Sequence, residues 1–267
     1  MTTKASLPST RVAATLPALS LRQILLVHLI VFQEAVFGYH VRDFNLIRWI
    51  QEATHTSFPV GLFIRDNESD LRLPDTARLN SDGVYRAWVM RNHCDTFCAV
   101  MQRFVNRHLD EFLGLSDPTK WMRFLAIPQL RLVSDTENLS SIIGHSVLLI
   151  TDGNGEKHMF DGIIDQYGRD WKKHWLMTKE ELMRSHMNLG RGLKKRPEGE
   201  AAALRARLDG GKYQHGYWAV ASRRMEQIFH ELDGMSLRGY TEDDIEARIR
   251  SLSKTKLVGA YEEALAQ

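Results

Sequence analysis

Two cysteines, Cys94 and Cys98, stand four residues apart at the start of an apolar segment, and the chain has no others. If Asn92 or His93 caps a helix here, Cys94 lies in its first turn, where free backbone N–H groups and the helix dipole favour a thiolate. Cys98 lies one turn further on, beside Phe97, where apolar surroundings favour the unreactive thiol. We therefore predict that Cys94 is a nucleophile.

A thiol nucleophile requires an imidazole within hydrogen-bond reach and a third group that orients the ring. Of the eleven histidines, His145 is the best placed, because it follows a glycine and opens a predicted strand. Asp161 is the nearest acid on the return strand. The two residues lie opposite each other if the loop is centred on Gly153, whereas a tight Asn-Gly turn leaves them diagonal or brings Asp165 closer. The predicted base is His145 and the predicted orienting acid is Asp161.

Periodicity of apolar residues predicts the elements that must hold these side chains. Helical spacing extends over residues 19–54, and Gly38 is where that stretch could divide into two helices. A helix is predicted from Cys94 to about Leu113, closed by Gly114. Residues 55–83 are predicted to be loop with one short strand, "VGLFI" (60–64), and "LRLV" (130–133) is a second strand pattern. "HSVLLIT" and "KHMFDGIID" flank the turn "DGNGE" as a β-hairpin.

The remaining segments complete an α+β prediction. Residues 1–18 are predicted to be a flexible tail, and residues 19–267 a single domain with its core at 84–188. Residues 189–212 combine glycine, proline and a basic run, which predicts a mobile loop. Residues 213–267 are predicted to form a helical tail. The order of helices, then strands, then helices favours α+β over alternating α/β.

Composition excludes several classes of protein. The chain has 267 residues and a formal charge of +2, which gives no global field for nucleic acid or a membrane surface. Its longest apolar run, "ILLVHLIVF", is about half of the ~20 residues that a membrane span needs. Two cysteines indicate a reducing compartment, and we expect a cytoplasmic protein. The acid-free N-terminus leaves organelle import as a second possibility.

Two segments resemble the papain-like and transglutaminase-like cysteine enzymes. The stretch "HCDTFCAVM" is similar to the helix that carries their nucleophile, and "GHSVLLITDGNGEKHMFDGIIDQYG" is similar to their histidine strand, hairpin and acid strand, with Gln166 and Tyr167 at its end. The resemblance implies a nucleophile helix packed on an antiparallel sheet, with extra N- and C-terminal helices. It also implies Cys94 as nucleophile, His145 as base and then acid, and Asp161 as the orienting group.

The expected function is therefore acyl transfer through a Cys94 thioester, by hydrolysis or aminolysis of a small-molecule or peptide substrate, without a metal or other cofactor. The glutamine that precedes the cysteine in many such enzymes has no clear counterpart, and Trp88 and Asn92 are the nearest candidates for an oxyanion donor. A zinc site from His93, Cys94 and Cys98 fits none of the usual ligand spacings. Arylamine N-acetyltransferases share the order of the residues but carry a glycine-rich segment that is absent here. The alternative function is a non-catalytic binding or effector protein.

Overall fold

The computed structural model describes residues 19–39, 46–50, 60–64, 81–134, 144–188, 190, 192–210, 216–233 and 237–267. The predicted N-terminal tail, residues 1–18, lies outside the described residues.

The helices of the described chain flank two β-sheets in an α+β arrangement. Their bounds are α1 Leu21–Gly38, α2 Ser81–Val89, α3 Cys94–Leu113, α4 Trp171–His174, α5 Lys179–Ser185, α6 Glu198–Asp209, α7 Tyr217–Asp233, α8 Glu242–Leu257 and α9 Ala260–Leu265. A single 3-10 turn spans Ile164–Tyr167.

The strands divide between a three-stranded sheet and a five-stranded antiparallel sheet. Their bounds are β1 Leu46–Ile50, β2 Val60–Ile64, β3 Thr119–Leu125, β4 Arg131–Ser134, β5 Gly144–Thr151, β6 Lys157–Phe160, β7 Leu176–Thr178 and β8 Lys194–Lys195. The smaller sheet has the order β1-β2-β4, with β2 and β4 parallel. The larger sheet has the order β7-β6-β5-β3-β8.

Helix α1 is the centre of the apolar core. Ser20 and Gln23 form a capping box at its start, and every residue from Ile24 to Val36 is buried. Helices α3, α7 and α8 pack around it. By length and composition alone α1 could cross a membrane, but 72% of that stretch is buried inside the fold. This burial agrees with the prediction that the apolar run forms a core helix.

Both faces of the five-stranded sheet are covered. Helix α3 packs on the face that contributes Trp121, Leu148 and Phe160 to the main core. The opposite face carries a second apolar cluster, which helix α5 closes with Leu182. Helix α3 therefore runs across the middle strand β5, and its first residue, Cys94, comes close to the beginning of that strand.

Several predicted elements are confirmed. Helix α3 begins at Cys94 and ends at Leu113, and Gly114 adopts the left-handed conformation of a C-cap, with φ 67°. The β5–β6 hairpin and the strands predicted at 60–64 and 130–133 are present. The C-terminal helices α7, α8 and α9 form the predicted helical tail.

Two expectations are wrong, and one strand is missing from the prediction. Helical structure was expected through residue 54, but Leu46–Ile50 is strand β1, whose run of aliphatic and aromatic residues pairs with β2. The predicted loop at 189–212 contains strand β8 and the 12-residue helix α6 instead. Alanine and leucine between Glu198 and Asp209 are strong helix formers, and they outweigh the glycine and proline signals around them. Strand β3, next to β5 in the sheet, was not predicted.

Candidate active site

The first turn of helix α3 presents the Cys94 thiol. His93 occupies the N-cap position without a side-chain hydrogen bond to the helix, and Asn92 before it has a positive φ of 64°. Because the helix begins at Cys94, the free N–H groups of its first turn lie next to the thiol. Cys94 is partly exposed and Cys98 is fully buried. Both cysteines are free thiols.

His145 and Asp161 form a buried hydrogen-bonded pair. The distance from His145 Nε2 to Asp161 Oδ2 is 2.6 Å, and both side chains are inaccessible to solvent. The other carboxylate oxygen, Oδ1, accepts the backbone N–H of Ile163 at 3.1 Å. The turn that follows β6 thus holds Asp161. Because Asp161 contacts Nε2 of His145, the other ring nitrogen, Nδ1, remains for other partners.

The register of the hairpin explains how the pair meets. Leu148 pairs with Phe160 and Thr151 with Lys157, so the hairpin is centred on Asn154 rather than on Gly153. Of the relations that the sequence leaves open, direct opposition of His145 and Asp161 therefore does not occur. The two residues are related diagonally, and the strand ends before Asp161, so that the turn carries the carboxylate back to the imidazole.

A glycine beside Asp161 lets the turn approach helix α3. A methyl group on Gly162 would lie 2.2 Å from the ring of Phe97, which is closer than carbon atoms can pack. Phe97 itself is fully buried one turn below the thiol. This contact holds the Asp161 turn close to the helix that carries Cys94.

Two aromatic rings fix the plane of the His145 imidazole. Phe124 lies opposite it across the β3–β5 pair, with ring centroids 5.2 Å apart and an interplanar angle of 82°. Tyr167 contacts it with centroids 4.8 Å apart at 86°. These edge-to-face contacts leave the ring little rotational freedom and exclude water from it.

Gln166 links the imidazole to the loop before Cys94. Its Nε2 lies 2.8 Å from His145 Nδ1, and its Oε1 accepts the backbone N–H of Asn92 at 3.3 Å. The Asn92 contact orients the amide so that its N–H points at Nδ1. The sequence placed Gln166 in the family-like segment but gave it no role, because only the fold reveals the contact with His145.

The electrostatics of the pair favour a charged imidazole. Burial alone would lower the pKa of His145, but the Asp161 carboxylate and the hydrogen-bonded Cys94 side chain outweigh it and raise the pKa to about 10. At Cys98, burial together with nearby negative charges raises the pKa of the thiol well above the ordinary value.

Asp95 carries a negative charge directly beside Cys94, and the fold neutralises much of that charge. One carboxylate oxygen accepts the Ser146 hydroxyl at 2.5 Å, and the other lies 2.5 Å from Arg196 Nη1. The Arg196 guanidinium in turn lies over the ring of Trp121, 4.5 Å from its centroid. The negative charge next to the thiol is therefore paired with a nearby cation.

Asp165, the second candidate for the orienting acid, has another partner. Its Oδ2 accepts Arg86 Nη2 at 2.7 Å in a nearly buried ion pair. Burial raises the pKa of Asp165, and Arg86 opposes that rise. The structure therefore brings Asp161, and not Asp165, to His145.

The surroundings of the site bear on access and on metals. Cavities lined by described residues include three of about 790, 480 and 410 Å³, and none of these three is lined by Cys94, His145 or Asp161. Among the described side chains, one group could hold a metal ion, and it does not include the cysteines. It consists of Asp152, Glu156 and His158.

No protein-family model, curated protein or solved structure matches the chain.

Proposed function

We propose that the protein is a cysteine-dependent acyl-transfer enzyme with a papain-like or transglutaminase-like core. Cys94 acts as the nucleophile, His145 as the proton donor and acceptor, and Asp161 as the group that orients the imidazole. The observation that supports this most directly is the position of His145, which hydrogen-bonds Asp161 at 2.6 Å and interacts with the Cys94 side chain. A free thiol is required, which is consistent with a reducing compartment such as the cytoplasm.

The reaction proceeds in two steps. The Cys94 sulfur attacks the carbonyl carbon of an amide, ester or thioester, and the bond to the leaving group breaks as His145 donates its proton to that group. Water or an amine then attacks the carbonyl carbon of the Cys94 thioester and gives its proton to His145, and the C–S bond breaks to release the acyl product and the Cys94 thiolate. Hydrolysis and amide formation thus share one intermediate, and the acceptor that enters the site decides between them.

We propose Gln166 as the side-chain oxyanion donor, in place of the glutamine that has no clear counterpart before Cys94. With a neutral imidazole, Nδ1 accepts the Gln166 N–H, but once Nδ1 is protonated it becomes a donor and no longer accepts this bond. The Gln166 amide must then donate to another group close to the imidazole. We propose that this group is the developing oxyanion, which the backbone N–H of Cys94 also stabilises.

Thiol labelling tests the role of Cys94. With iodoacetamide at neutral pH, we expect Cys94 to be alkylated at least tenfold faster than Cys98, because Cys94 is accessible and adjacent to a cation. His145→Ala should slow Cys94 labelling at least tenfold, whereas the exposed His230→Ala should leave it unchanged. Equal, slow labelling of both cysteines, or no effect of His145→Ala, would refute the assignment.

Reaction with an activated ester tests whether Cys94 forms an acyl-enzyme. An activated ester such as 4-nitrophenyl acetate should release nitrophenolate in a burst, with one acetyl group on Cys94 by peptide mass spectrometry. Cys94→Ser should abolish the burst, and the matched Cys98→Ser should retain it.

The second candidate function is a non-catalytic binding or effector protein. The observation in its favour is that Cys94 lines none of the three cavities of about 790, 480 and 410 Å³ that described residues form. Such a protein would show no burst with any acyl ester and no dependence of thiol reactivity on His145.

A further inference from the structure

A polar groove of about 480 Å³ lies where helix α3, strand β3, strand β8 and helix α6 meet. Five basic side chains and two acidic ones line it, so its charge is strongly positive although that of the whole chain is nearly balanced. The basic side chains come from all four elements: Arg103, Lys120, Lys195, Arg196 and Arg205. Lys195 and Arg196 belong to the basic run that the sequence placed in a loop.

The two acidic side chains of the groove are already engaged. Asp117 accepts Asn106 Nδ2 at 2.7 Å, and Glu198 forms an ion pair with Arg205 at 2.8 Å.

Among the basic side chains, Arg196 is neutralised by Asp95. That leaves Arg103, Lys120 and Lys195, which form no ion pair with any residue that the structure describes. Three cations from three elements thus face one groove without a counter-charge from the described chain.

Trp121 adds a buried donor to the same groove. Its side chain is 3% exposed, and its indole Nε1–H has no hydrogen-bond acceptor among the described residues. A buried N–H without an acceptor costs free energy, since indole nitrogen can only donate. This nitrogen is closed to water in the structure, so a ligand oxygen reaches it only when a covering side chain such as Arg196, which lies over the Trp121 ring, moves aside.

We propose that this groove binds the phosphate or diphosphate group of a small-molecule ligand. Three cations without counter-charges and a free N–H donor suit a group with more than one negative charge and several acceptor oxygens, which a single carboxylate does not provide. The groove is confined rather than extended, which favours a small molecule over a nucleic-acid strand. Arg196 connects it to the candidate active site, because the same guanidinium pairs with Asp95 next to Cys94.

Binding of inorganic pyrophosphate tests this site without any acyl chemistry. By isothermal titration calorimetry at near-physiological ionic strength, we expect the exposed pair Lys120→Gln and Lys195→Gln together to weaken binding at least tenfold. The matched double variant Lys157→Gln and Lys254→Gln removes the same charge from exposed positions elsewhere, and it should change affinity by less than about twofold. Equal affinity in both double variants, or no binding to the unaltered protein, would overturn the proposal.

Two further variants separate this site from the active site. Trp121→Phe should weaken pyrophosphate binding in the same calorimetric measurement, because it removes the N–H donor. Cys94→Ser should bind pyrophosphate like the unaltered protein, whether or not Cys94 is a nucleophile. Loss of binding in Cys94→Ser would contradict a site separate from the active site. An oligonucleotide that binds the groove and is not displaced by pyrophosphate would contradict the assignment to the phosphate group of a small molecule.

Discussion

Replacing Asp161 with asparagine removes the charge that holds the proton on His145 while keeping the size of the side chain. Burial lowers the pKa of His145, and the Asp161 carboxylate and Cys94 raise it to about 10 against an ordinary value of 6.5. That rise corresponds to about 5 kcal/mol, at about 1.4 kcal/mol for each pKa unit. In Asp161→Asn the effect of burial should dominate, and the pKa of His145 should fall below 6.5.

The change in protonation also predicts how stability depends on pH. Because the pKa of His145 is raised in the folded state, the folded chain binds more protons than the unfolded chain between pH 6.5 and about 10. The stabilisation is complete below pH 6.5 and is lost as the pH rises through about 10. Between pH 6.5 and 8.5, this residue alone should cost the unaltered protein about 2 kcal/mol of unfolding free energy, and Asp161→Asn should lack that dependence.

Two measurements check this reasoning. The imidazole C–H resonances of His145 should show no titration from pH 5 to 8 in the unaltered protein and a titration below pH 6.5 in Asp161→Asn. Urea unfolding at pH 6.5 and 8.5 gives the stability difference, and Asp110→Asn, which removes an exposed carboxylate from helix α3, serves as the control. A His145 that stays protonated above pH 8 in Asp161→Asn would refute the role of the carboxylate.

Three further predictions follow from single contacts. Gln166→Leu should slow acylation by an activated ester about 100-fold, the effect of a lost oxyanion donor of about 3 kcal/mol, while iodoacetamide alkylation changes less than fivefold. The pKa values of the buried pair His28 and His108 are lowered to about 3 and 4, first by burial, so the unfolded chain binds more protons between pH 6.5 and 4. His108→Gln should therefore reduce the loss of stability on acidification by about 1.4 kcal/mol per pH unit, measured by urea unfolding. Gly162→Ala should destabilise the fold by about 1–3 kcal/mol because it meets a buried phenyl ring, whereas Gly199→Ala, with open space around it, should not; equal urea midpoints would contradict this contact.

The elements that carry the candidate site were largely predictable from local patterns. A helix beginning at Cys94 and ending before Gly114 follows from apolar spacing and a C-cap glycine, and the hairpin follows from two apolar runs around an Asn-Gly turn. These signals are local, because caps, turns and periodicity depend on residues within a few positions of each other. The error at strand β1 occurred because tertiary pairing overrides local preference, whereas helix α6 follows from local helix formers that outweigh the neighbouring glycine and proline.

The relations between the elements were decided by the tertiary structure. The sequence proposed Cys94, His145 and Asp161 as partners, but it left Asp165 as an alternative and missed the contact of Gln166 with the imidazole. Only the tertiary structure shows that Asp165 forms an ion pair with Arg86 and that Asp95 forms one with Arg196. Such pairings join residues far apart in the chain, and they depend on strand register and on buried charge, neither of which a local pattern specifies.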